Sequence, residues 1–185
     1  MNLETDLSKF NNDWYSPKAG KLKLITWFLV NSLIINNYLP IPVTFKIFIL
    51  KVFGAKIGNG VMIKPKVNIK YPWFLEIGNC VWIGEMVWID NFVKVTIEDN
   101  ACISQGAMLM TGNHNYKKVA FDQTVGEIYV EKGAWIGAKT IVCGGVRCMS
   151  HSVLAVGSVT AKDLQPYTIY QGNPAQAVRM RVISD

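Results

Sequence analysis

From Ile57 to Leu154 an aliphatic residue recurs mostly at every sixth position. The set is Ile57, Ile63, Ile77, Ile83, Ile89, Ile97, Ile103, Leu109, Val130, Ile136, Val142 and Leu154, with Cys148 in the slot between the last two. Four residues after each but Leu109 comes a small or β-branched residue: Val61, Val67, Val81, Val87, Val93, Ala101, Ala107, Ala134, Thr140, Val146, Ser152 and Ser158. Side chains of an extended chain alternate with period two, so an even spacing keeps both sets on one side; a helix needs steps of three and four. Three residues past the aliphatic stand Gly60, Asn100, Gly106, Gly133, Gly145 and Gly157, residue types that tolerate positive φ and so predict sharp turns. Short strands joined by turns every six residues predict a solenoid whose stacked coils share one apolar core.

The beat divides the chain into an N-terminal segment, 1–56, a repeat region, 57–165, and a closing segment, 166–185. It lapses between about 110 and 127, where Thr111-Gly-Asn-His-Asn-Tyr-Lys-Lys reads as a polar excursion from the scaffold. It also stretches at Asp90 and Asn91, where the aliphatic after Ile89 comes eight residues later.

Ahead of the repeats, Leu24–Phe53 is strongly apolar but is broken by Asn36-Asn37, Pro40 and Pro42. Each half is too short for the roughly 20 apolar residues of a membrane span. Glu4 and Asp6 before the run, and no small-residue cleavage site after it, argue against a signal peptide. Two helices are expected, the first capped by Ser16 with Pro17 at its opening position, the second bracketed by Pro42 and Gly54. Their apolar faces must lie against the first coils, a neighbouring subunit or, with nearby lysines, a membrane surface reached through residues 22–53.

One sizeable domain fits 185 residues. A net charge of +6 suits an anionic ligand or surface, and the scattered basic residues argue against nucleic acid. Cys80, Cys102, Cys143 and Cys148 have no metal or redox spacing, which predicts free thiols in a reducing cytoplasm, and no metal is called for.

Three segments narrow the picture: Ile103-Ser-Gln-Gly-Ala followed by Thr111-Gly-Asn-His-Asn-Tyr116; Gly133-Ala-Trp-Ile-Gly-Ala138; and Gly157-Ser158 with Lys162-Asp163 and then Gly172-Asn-Pro-Ala175. With them the chain resembles the hexapeptide-repeat acyltransferases, and among these the colanic acid and exopolysaccharide O-acetyltransferases, relatives of the maltose and galactoside enzymes. The resemblance covers nearly the whole chain. It implies a mainly β fold, a left-handed parallel β-helix, against the usual right-handed crossover preference. It further implies acetyl-CoA as donor, a sugar or lipid-linked sugar as acceptor, a homotrimer with sites between subunits, and a cytoplasmic setting at or near the inner membrane face.

The residues follow from that match. His114, one of two histidines, falls on the catalytic histidine segment, and an imidazole titrating near neutrality suits withdrawal of a hydroxyl proton. Asp90 and then Asn91 match the acceptor side, with turn chemistry as the competing reading. Asn113 is placed with them, and with Asn115 it also stands as an orienting residue for His114. On the donor side the match marks Trp135, Gly137, Ala138, Val156, Gly157, Ser158 and Lys162, with Arg179 and Arg181 toward the nucleotide, and amides near Gly137 as oxyanion donors. Thr160-Ala161-Lys162 departs from the Val-Thr-Lys of many relatives.

Three other readings compete with this one. A zinc hydratase on this scaffold needs three histidines, and only His114 and His151 exist. A non-enzymatic solenoid would carry regular surface ladders, which are missing. An acetyltransferase with a non-sugar acceptor stays compatible with every residue named.

Overall fold

Strands of two or three residues form at the aliphatic slots, and each coil lays three of them against the coil before. The structure, a computed structural model, describes residues 3–185. A first face stacks Lys56–Ile57, Leu75–Ile77, Val95–Ile97, Ile128–Val130 and Arg147–Cys148. A second stacks Met62–Ile63, Trp82–Ile83, Cys102–Ile103, Trp135–Ile136 and Val153–Leu154, and a third stacks Asn68–Ile69, Trp88–Asp90, Met108–Met110, Ile141–Cys143 and Val159–Thr160. Pairing within these stacks is parallel and like sits on like, as in Ile63↔Ile83↔Ile103↔Ile136↔Leu154. This is a mainly β parallel solenoid.

The predicted aliphatic slots are buried throughout, and Ile69 joins them. One small-residue slot does not hold: Val93 is only half-buried, and Val95 takes the core position beside Ile97. The cause is the widened corner after Asp90, which shifts the register by two residues, so the inward pair precedes the aliphatic (Leu75–Ile77, Val95–Ile97, Ile128–Val130). The predicted turn residues all have positive φ, from 59° at Asn100 to 87° at Gly145. Lys66, Cys80, Met86, Lys139 and His151 adopt the same conformation at the remaining turns.

The corner from the third face back to the first is where coils differ in length. Residues 70–74, 91–94 and 111–127 all leave the helix there, so the step from Leu75 to its partner Val95 is 20 residues and that from Val95 to Ile128 is 33. The partners still meet in register.

The first helix, α1, spans Lys21–Val30 and runs on as a wider turn over Asn31–Ile35; the second, α2, spans Val43–Val52. The expected Ser16 cap is not there. Ser16 Oγ instead accepts from the Lys18 amide, and α1 begins after Gly20 without a side-chain cap. Pro42 and Gly54 bracket α2 as expected, Gly54 at φ 105°. Trp27, Asn31 and Ile35 face inward from α1, and the Trp27 indole donates to the Ile69 carbonyl at 3.0 Å. From α2 the inward residues are Leu50 and Lys46, the latter donating to the Lys64 carbonyl at 3.4 Å. At the far end Thr168–Gly172 adds a strand to the second face and Ala175–Met180 folds back antiparallel on it.

Candidate active site

The excursion begins at Thr111, which is fully buried. Its hydroxyl donates to the Asp90 carbonyl at 3.0 Å and accepts from the Phe92 amide at 2.8 Å, fastening one widened corner onto the next. The Gly126 amide donates to the Thr111 carbonyl at 2.9 Å and closes the neck of the loop. Beyond the neck, Gly112–His114 and Gln123–Val125 pair antiparallel. A Cβ at Gly112 would come within 2.8 Å of the Phe92 ring, so any larger residue there would have to displace that ring.

His114 is exposed at the end of this ribbon. Its ring lies parallel to Phe121, centroids 4.6 Å apart and planes 8° off, and the Phe10 ring stands 5.9 Å away. Nδ1 is 2.9 Å from the Phe121 carbonyl oxygen. A carbonyl only accepts, so this bond assigns the proton to Nδ1 and leaves the Nε2 lone pair free. Asn113 accepts from the His114 amide through Oδ1 at 2.8 Å and so acts on the backbone of the histidine. The N-terminal segment covers the loop: the Asp6 amide donates to the Val119 carbonyl at 2.8 Å, and Tyr15 donates from its hydroxyl to the Phe92 carbonyl at 2.8 Å. Burial pushes the Tyr15 phenol up, so it stays a donor.

Asp90 is nearly buried, with Oδ1 3.1 Å from Lys70 Nζ. It lines a cavity of about 420 Å³ between α1 and the third face, together with Trp27, Asn31, Asn68, Lys70 and Trp88. Asn91 is fully buried. Its side-chain Nδ2 donates to the Tyr71 carbonyl at 2.7 Å and its Oδ1 accepts from the Tyr71 amide at 3.0 Å, tying this corner to that of the preceding coil.

The donor-side residues lie elsewhere. Gly137, Ala138, Val156 and Gly157 form the corner between the second and third faces, so the third face separates them from the corner of His114. Trp135 is half-exposed beside them and donates from its indole to Ser104 Oγ at 2.8 Å. Lys162 is exposed on a cleft of about 360 Å³ shared with Tyr170 and Pro174, and Arg179 is exposed on the last strand.

Three donor-side expectations change. The Gly137 amide donates to the Leu154 carbonyl at 2.8 Å and is not open to an oxyanion. Ser158 is buried and its hydroxyl accepts from the Gly172 amide at 2.9 Å. Arg181 is held by the carbonyls of Gly133 and His151 at 2.9 and 3.2 Å. Each of these groups ties coils together.

His151 stacks on Tyr167 at 4.6 Å, on the corner between the first and second faces, away from His114. The four cysteines are unpaired, with Cys80 exposed and Cys148 buried. Among the described residues no three His, Cys, Asp or Glu side chains gather as a metal-binding group. Sequence reasoning missed Phe121, Phe10 and Tyr15. The Phe121 contact is a backbone carbonyl, which no residue type announces, and the other two arrive through a chain reversal without a motif.

No protein-family model matches the chain. The WcaF protein of Escherichia coli K12, provisionally named a colanic acid biosynthesis acetyltransferase, is 31% identical over 177 residues, covering 96% of this chain and 97% of that one. The galactoside O-acetyltransferase of the same organism is 26% identical over 152 residues, 78% of this chain and 72% of its own. Among solved structures, the hexapeptide-repeat acetyltransferase VCA0836 of Vibrio cholerae O1 biovar eltor, complexed with acetyl coenzyme A, superimposes with a TM-score of 0.77. It covers 88% of this chain and 87% of its own, and at 20% identity it speaks to the fold alone. A repeat solenoid with one histidine-bearing excursion, and a relative alike from end to end, lead to one conclusion: the chain belongs to the hexapeptide-repeat acetyltransferase family.

Proposed function

We propose that the enzyme moves the acetyl group of acetyl-CoA to a hydroxyl of a sugar, free or lipid-linked, in exopolysaccharide or capsule synthesis. His114 is the general base. The observation that carries the reading is the 2.9 Å bond from Nδ1 to the Phe121 carbonyl, which sets the tautomer of the neutral ring and leaves the Nε2 lone pair free to accept a proton. Nε2 takes the hydroxyl proton as the oxygen attacks the thioester carbonyl. The tetrahedral intermediate then expels the thiolate, and the imidazolium returns the proton to sulfur, so the products are the acetyl ester and free coenzyme A.

The amides of Ala138 and Val156 make no hydrogen bond within the described chain, and they replace Gly137 as donors to the pantetheine arm or the oxyanion. Lys162 and Arg179 suit the phosphates. Since His114 and the Ala138–Val156 corner lie on different corners of one chain, a complete site joins the loop of one subunit to the corner of the next in a homotrimer. Asp90, on its cavity, serves the acceptor.

Release of coenzyme A by wild type and His114→Ala, over a panel of free, nucleotide-linked and lipid-linked sugars, tests the proposal. The expected loss is at least about a hundredfold, with acetyl-CoA binding retained. A variant as fast as wild type removes His114 from the chemistry.

A further inference from the structure

The two N-terminal helices turn the wrong faces outward for a solvated surface. On α1 and its continuation, Leu22, Ile25, Leu29 and Leu33 form an outer stripe flanked by Phe28, opposite the inward stripe of Trp27, Asn31 and Ile35. On α2 Lys46 is inside and the phenylalanines are outside: Lys46 is 2% exposed, Phe48 58%. Tyr38 and Leu39 in the connection continue the patch. An apolar face of this extent marks an interaction surface.

The charge around it selects the partner. Between Trp14 and Leu75 the chain carries nine lysines and no aspartate or glutamate, whereas the rest has ten basic residues against thirteen acidic ones. Lys18, Lys21, Lys23 and Lys51 are exposed on the helices or just before them. Apolar and aromatic side chains framed only by lysine match a surface that is apolar beneath and anionic above. Face-to-face docking of two copies would instead oppose lysine to lysine. A second feature agrees: Leu24 and Phe28 of α1 also line the Asp90 cavity, so that cavity opens beside the apolar patch. No helix among the described residues is long and apolar enough to cross a membrane, which leaves contact in the interfacial plane.

We propose that the outer face of residues 21–52 docks on the surface of an anionic lipid bilayer. This stands apart from the acetyl transfer proposed above, and its failure would leave that reading untouched.

The test is cosedimentation of the intact protein with vesicles of phosphatidylcholine alone or mixed with phosphatidylglycerol, alongside its native mass by light scattering. Binding to the mixed vesicles is expected at least about tenfold tighter than to neutral ones, weakening with salt. The pair Ile25→Ser and Phe48→Ser, both exposed and neither lining the Asp90 cavity, should lose about tenfold or more at unchanged native mass, and Lys21→Glu with Lys51→Glu, on exposed positions, should do the same. Coenzyme A release with a water-soluble acceptor should stay unchanged in both. No retention on either vesicle overturns the proposal, as does retention of the variants at the wild-type level. A fall in native mass in the serine variant overturns it too, because a second copy then covers the face.

Discussion

At the scale of single residues, position within the coil decides what a side chain can do. Cys148 occupies an aliphatic slot, and burial, aided by the nearby carboxylates of Asp163 and Glu131, pushes its thiol up to about 12. Burial raises Cys102 and Cys143 less, and Cys80 is exposed. In native protein at about pH 8, a thiol-specific disulfide reagent should modify Cys80 and leave Cys148 untouched until denaturant is added. The raised value means the folded state holds the proton more tightly than the unfolded chain. The stability Cys148 contributes is therefore complete below about pH 9 and declines as pH rises toward about 12. Modification of Cys148 as fast as Cys80 would show that the last coils open readily. His114 was legible because its neighbours form a motif, and Cys148 because the beat left a vacancy. The partner of His114 was not legible, since any residue type at 121 presents a carbonyl.

At the scale of elements, regular spacing was readable and its interruptions only in part. Turn slots at Gly60 and Gly157 announce themselves, but Lys66 and Met86 take the same conformation because stacking imposes it. Val93 was misplaced because corner length shifts register, and the length of a corner shows only when the strand after it is known. The Ser16-Pro17 signal was genuine turn chemistry that the chain used in a bend ahead of α1. Helix α2 sets an element-scale test. Burial lowers the Lys46 ammonium below its ordinary value, so the folded state disfavours its charge below that pKa and recovers stability as pH rises through it. Lys46→Met removes the buried charge and keeps the length of the side chain. It should raise the melting temperature by roughly 2–4 °C, equivalent to about 1 kcal/mol for a chain this long. A lower melting temperature would mean that the bond to the Lys64 carbonyl outweighs the desolvation.

At the scale of the whole molecule, the third face keeps the histidine loop apart from the Ala138–Val156 corner, and this makes assembly testable through activity. Mixed and reassembled subunits of two inactive variants, His114→Ala and one with the donor corner blocked by Val156→Glu, should regain activity. If each site joins neighbours in a trimer, random mixing gives about a quarter of the sites one intact loop and one intact corner. Absence of rescue in verified mixed oligomers would assign both halves of the site to one chain. Sequence pattern alone anticipated the solenoid but not this separation, which depends on which corner each residue occupies.

The neck between Thr111 and Gly126 has a wider consequence. Val95 and Ile128 pair in register across 33 residues as Leu75 and Val95 do across 20, so the scaffold is indifferent to what hangs from that corner. Loop-closure entropy changes slowly with length, and little stability is lost or gained when the insert grows or shrinks. The segment above the neck can therefore lengthen or shorten without rebuilding the scaffold, much as a tool head is changed on a fixed handle, while the core that holds the handle rigid keeps its sequence beat.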